Sequence, residues 1–165
     1  MHSILKSGLK SGAVVAALAL AAPAWAQTAA APDMKTFASS AEVAALEAKA
    51  KAEIKPGQAM LSQPLLALAP YKANLEYRPV GGDAVAHMKD AELIYVVDGA
   101  GTFVVGGQLT NPKPGGANII GDGITGGETH KVVKGDMLFV PQNTPHQVLA
   151  VDGALVLMTL HVPRP

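Results

Sequence analysis

Chemistry in this chain has to come from histidine and carboxylate. The 165 residues include no cysteine, which removes a thiol nucleophile, a disulfide scaffold and an iron–sulfur site. Beyond residue 26, serine occurs only at Ser39, Ser40 and Ser62, all outside the main run of strands read below, so a Ser-His-Asp triad is not expected. Histidine stands at His87, His130, His146 and His161 over the same stretch. Imidazole with carboxylate serves acid–base work or holds a divalent metal. Two segments set such residues in a pattern. One runs from Gly81 to Gly99 and carries His87, Lys89 and Glu92; the other runs from Gly135 through Pro141 to His146.

These segments resemble the two motifs of the cupin superfamily, G-x5-H-x-H-x(3,4)-E-x6-G and G-x5-P-x-G-x2-H-x3-N. Glu92 keeps its spacing to Gly99, Gly135 its spacing to Pro141, and Pro141 its spacing to His146. The departures are specific. Only His87 is present where the first motif has two histidines, and two registers are open: Val85 in place of the first histidine, or Lys89 in place of the second. Asn143 replaces a glycine, which suits a residue tolerant of left-handed backbone angles. Ala150 stands where the last asparagine would be.

The resemblance covers residues 59–162 and implies an all-β fold, the double-stranded β-helix or cupin-like jelly-roll barrel. It implies a divalent metal held by His87, Glu92 and His146. Two imidazoles and a carboxylate suit Fe, Mn, Zn or Ni, and ligand type alone does not choose among them. Positions left open on the metal would take water, oxygen or a chelating ligand. Two functional classes follow: a metal-dependent oxygenase, isomerase or lyase acting on a small oxygenated molecule, or a non-catalytic module that binds a small molecule or a metal. A homodimer joined through strand edges is also implied.

The remaining candidates read as structural. Lys89 in the second register would be a pocket acid–base group or anion anchor, against the ordinary alternative of a solvated lysine. His130 follows a glycine-rich stretch and has polar neighbours, so it is expected at the surface. His161 is read as a strand-end residue before Pro163.

The elements that must position these groups are strands. Residues 72–80, 93–97, 101–106, 131–133, 137–140, 146–151 and 154–161 read as short β runs. Asp98-Gly99, Gly135-Asp136 and Asp152-Gly153 read as hairpin turns between them, giving roughly eight to ten strands. Residues 111–127, rich in glycine and proline, read as one long loop of the kind that covers a site or moves. Gly121-Asp122-Gly123-Ile124-Thr125-Gly126 matches a dinucleotide fingerprint in letters only, because no strand–turn–helix context surrounds it. Ahead of the strands, Ser39 and Glu42 form a capping-box pattern, and Val43, Leu46, Ala50 and Ile54 follow at helical spacing. This predicts one amphipathic helix over residues 39–55, ended by Pro56-Gly57.

The N-terminus reads as an export signal. Lys6 and Lys10 precede an apolar run from Ala13 to Ala22, and Ala24-Trp25-Ala26 offers small residues at a peptidase site. That run is about ten residues, against roughly 20 for a membrane span. Cleavage before Gln27 would leave a flexible tether over residues 27–38 and a slightly acidic domain in the periplasm or outside the cell, with no membrane contact. The whole chain balances 13 basic against 13 acidic side chains, leaving no surplus to neutralise nucleic-acid phosphates.

Overall fold

The computed structural model describes residues 34–164; the expected export signal, residues 1–26, and residues 27–33 of the expected tether lie outside them. One helix, α1 (Ser40–Glu53), precedes eleven strands: β1 (Leu61–Leu68), β2 (Tyr71–Arg78), β3 (Ala84–His87), β4 (Asp90–Val105), β5 (Gln108–Thr110), β6 (Lys113–Gly115), β7 (Asn118–Gly121), β8 (Gly123–Thr125), β9 (Glu128–Val133), β10 (Met137–Val140) and β11 (His146–Pro163). Ser39 caps α1 by accepting the amide of Glu42 at 3.2 Å. The Glu42 carboxylate does not close the other half of a capping box; it pairs with Lys35 Nζ at 2.6 Å. Lys35 also exchanges backbone hydrogen bonds with Ala67, at 2.7 and 2.9 Å.

Two long strands organise the sheet. β4 and β11 run antiparallel from Asp90 opposite Pro163 to Val105 opposite His146. Along the far edge of β11 lie β2, flanked by β1, and β3, followed by β7 and β6. Along the far edge of β4 lie β10, against residues 92–95, and β9, against residues 100–105. This all-β jelly-roll arrangement is the expected fold class, with one correction. Nine of the described strands form one open, branched sheet, and no closed barrel is found among them.

The second correction concerns the turns. Asp98-Gly99 and Asp152-Gly153 do not end strands; they lie within β4 and β11, at the place where both bend. The pairing slips there, between Val148 and Ala150 and again between Val151 and Leu155. Extra residues in one strand bend it and raise its twist. Glycine is required on the partner strand: Gly99 has φ +84°, and a Cβ on it would collide with the Ala154 carbonyl oxygen. In two dimensions an Asp-Gly bulge reads the same as an Asp-Gly hairpin, and only tertiary pairing separates them.

The third correction is the long loop. Residues 111–127 contain β6, β7 and β8, and β5 with β8 forms a separate two-stranded ribbon. Its glycines allow close approach between backbones: a Cβ on Gly121 would lie 2.8 Å from the Thr110 carbonyl. No helix follows the glycine fingerprint.

Two cores result. Ile94, Val96, Phe103, Val148, Leu155 and Leu157 fill the interior where the two halves of the sheet fold over. Outside, Leu75, Tyr77 and Val156 are covered by Val43, Leu46 and Ala50 of α1 and by Ile54 at its C-cap. Fully burying a side chain of this kind stabilises by roughly 1.5–3 kcal/mol. Among the described residues no helix is long and apolar enough to cross a membrane.

Candidate metal centre

Beyond the apolar interior, the same inward face turns polar. Along β11 the alternation Leu155, Leu157, Thr159, His161 keeps one side of the strand inward. On β2 the matching positions are Glu76 and Arg78, opposite Leu157 and Leu155. On β4, Glu92 continues the line of Ile94 and Val96. β3 adds Val85 and His87, two apart on one face, with Val85 opposite His146 and His87 opposite Asn118 of β7. Of these, Glu76, Arg78, Val85, His87, Glu92, Asn118, His146 and His161 line one cavity of about 310 Å³.

The expected trio meets there. Nε2 of His87 and Nε2 of His146 stand 3.2 and 3.0 Å from the same atom, Oε2 of Glu92. The rings of His87 and His146 are 5.1 Å apart between centroids. Glu92 is 4% exposed and His146 6%, so this carboxylate has left bulk water.

Sequence reasoning missed a fourth group. His161 stands directly across the ladder from Glu92. Its Nε2 is 3.8 Å from Glu92 Oε1, and its ring meets that of His87 edge-on at 4.8 Å. One ligand atom from each of His87, Glu92 and His161 lies within 4.8 Å of the others. The period-two alternation of β11 carried this signal; the register against Glu92 is non-local and has no sequence mark.

The register question also has an answer. Val85 lines the cavity beside His87 and occupies the place of the missing histidine, whereas Lys89 lies past the end of β3 and is exposed. Lys89 is therefore a solvated lysine and not a pocket group. His130 is outside the cavity, with Nε2 3.7 Å from Glu128, as expected of a surface residue.

Two of the rings are also held from behind, and the third faces a carboxylate at longer range. Nδ1 of His87 meets Oδ1 of Asn118 at 2.9 Å, Nδ1 of His146 meets the Thr144 carbonyl at 3.3 Å, and Nδ1 of His161 lies 3.8 Å from Asp90. A proton on Nδ1 satisfies the rear oxygen and leaves Nε2 to face Glu92. With oxygens at both ends, an imidazole is satisfied either by two protons or by one proton at Nδ1 and a cation at Nε2. Donors bound at about 2.1 Å to one ion stand roughly 3.0–3.4 Å apart at neighbouring positions, which matches the 3.0 and 3.2 Å between Glu92 and its two imidazoles. The donor set therefore fits a divalent cation.

Electrostatics agree. Burial works to raise the Glu92 carboxyl, but hydrogen bonds from His146 and His87 and the charge on those rings outweigh it, holding Glu92 well below the usual carboxylate range. Burial works to lower His87, and its bonds to Glu92 and Asn118, with the nearby charges of Glu92 and Asp90, raise it above the ordinary imidazole value.

No family model matches the chain, and no curated protein matches it in sequence. Solved structures do. BH2720 from Bacillus halodurans is similar at 17% identity and TM-score 0.50, over 73% of this chain and 79% of that one. The cupin domain of Cnp3 from Schizosaccharomyces pombe aligns at 14% identity and TM-score 0.47, over 69% and 72%. An RmlC-like cupin from Shewanella frigidimarina aligns at 20% identity and TM-score 0.45, over 67% and 81%. The likeness to BH2720 is one of fold alone, and the observed strand order fits the all-β jelly-roll expected from the two sequence motifs.

Proposed function

We propose that this chain is an exported cupin that holds one divalent metal ion on His87, Glu92 and His146, with His161 as a fourth donor, and binds a small oxygenated molecule there. The supporting observation is the convergence of three Nε2 atoms on one buried carboxylate, with the rings of His87 and His146 backed by an oxygen at Nδ1. When bound, the ion supplies Lewis acidity to an oxygen of the ligand. The protein does the rest. Asn118 and the Thr144 carbonyl hold the protons on Nδ1 of His87 and His146. Glu92 cancels half the charge of a dication. Val85 and Ile120 give the cavity apolar wall, as suits a site for a small molecule.

A non-catalytic binding module is the second reading. It is favoured by the cavity lining, which offers no serine, threonine, tyrosine or lysine, so acid–base work falls wholly on the metal donors and the carboxylates. The two readings differ in turnover and share the site. Titrating chelator-stripped protein with Mn, Fe, Zn and Ni by calorimetry tests that site. About one equivalent should bind to wild type, with binding lost in Glu92→Ala and His87→Ala. Absence of binding by any of these ions overturns the proposal. Export through residues 1–26 predicts a secreted chain beginning at Gln27, read by N-terminal sequencing; a retained Met1 contradicts it. Pairing of two copies through strand edges is read by light scattering, where a monomer contradicts it.

A further inference from the structure

The cavity contains a guanidinium whose binding edge is only half used. Arg78 sends Nε and Nη2 to one oxygen of Glu76, at 3.0 and 2.8 Å. Glu76's other oxygen takes the Thr159 hydroxyl at 3.4 Å. Glu76 is 7% exposed and the Arg78 side chain 18%, so this pair is fixed inside the cavity and not solvated outside it. Nη1 takes part in neither bond to Glu76. It lies on the side of Gly82, where an added Cβ would stand 3.6 Å from it. Gly82 is itself pinned, its amide donating to the Val148 carbonyl at 3.0 Å and its own carbonyl accepting Gln147 Nε2 at 2.9 Å.

We propose that the cavity takes a small carboxylate, its acid group paired with the Nη1 edge of Arg78 and another of its oxygens turned toward the histidine cluster. This rests on the reading of the cavity as a metal and ligand site. Three observations carry it. Arginine has five donors in a planar fork, so Glu76 can orient one edge while another recognises a second carboxylate. Charge calls for an anion: Glu76 cancels Arg78, Glu92 leaves a dication one charge positive, and Asp83 is exposed at the rim, where water screens it. A volume of about 310 Å³ equals about ten water molecules, which admits a small acid.

The test is calorimetric titration of acetate, glycolate, oxalate and malonate into wild type, Arg78→Lys and Arg78→Met, with glycolamide as the neutral counterpart of glycolate. The metal content of the same samples is measured by elemental analysis. At least one acid should bind wild type, with glycolate preferred to glycolamide, and that affinity should fall about tenfold or more in Arg78→Met at unchanged metal content. Arg78→Lys keeps a cation beside Glu76 and so keeps the fold; it should bind the acid more weakly than wild type because the planar fork is gone. Wild-type affinity for the acid in both variants, equal binding of glycolate and its amide, or no acid binding overturns the proposal. Wild type without metal overturns the metal reading alone, since dependence on Arg78 is read in the same titration.

Discussion

His161 and Glu92 face each other across the β4–β11 ladder, with the ring nitrogen Nε2 3.8 Å from the carboxylate. This register brings a third imidazole to a site whose first motif lacks one. Val85, on β3, leaves the gap, and His161 of β11 faces the same carboxylate across the ladder.

His161→Ala should therefore weaken metal binding about tenfold or more while leaving the thermal unfolding of the metal-free protein close to wild type. Adding Val85→His to that variant should recover much of the loss, because position 85 shares its strand face with His87 and lies opposite His146. Competition with a fluorescent chelator reads both. Wild-type affinity in His161→Ala would remove that residue from the ligand set.

Asn118→Ala removes the oxygen behind His87 without touching a donor atom. Loss of such a partner typically costs 10–100-fold in metal affinity, and the same range is expected here. Asn118→Asp keeps an acceptor at that position and should retain binding.

Stability should depend on pH in opposite senses without and with metal. Glu92 is lowered from an unfolded value of 4.5, so its contribution is complete above that pH and is lost as the pH falls toward its folded value. His87 is raised from 6.5, so its contribution is complete below that pH and is lost as the pH rises through its folded value. The cluster thus stabilises the metal-free protein most between these two unfolded values, and the unfolding midpoint should drop as the pH rises above 6.5. A metal displaces the proton on Nε2, so metal affinity should rise over the same interval. Calorimetric scans of both forms check this; parallel slopes would contradict it.

Glycine at the bend of β4 should be indispensable. A Cβ on Gly99 meets the Ala154 carbonyl, and φ is +84° there, so Gly99→Ala should cost more than about 3 kcal/mol in urea unfolding. At Gly135, φ is +97° with no atom within 4 Å of the added carbon, and alanine should cost only about 1 kcal/mol.

How much of this was legible follows from what is local. The strand at residues 137–140 came out at its observed bounds because its apolar run is short and flanked by turn signals. β4 and β11 were each read as two strands because Asp-Gly has the same left-handed propensity in a bulge as in a hairpin. Asn118 was hidden within a glycine-rich stretch that reads as loop. His87, Glu92 and His146 were legible through motif spacing. His161, Glu76 and Arg78 were not, because their place depends on register between strands far apart in the chain.

Anomalous diffraction from crystals grown with manganese(II) tests the central claim most directly. One peak is predicted in the cavity, bonded to Glu92 and to Nε2 of His87 and His146, with His161 at a fourth position. An empty cavity in which Glu92 still accepts from His87 and His146 would contradict it.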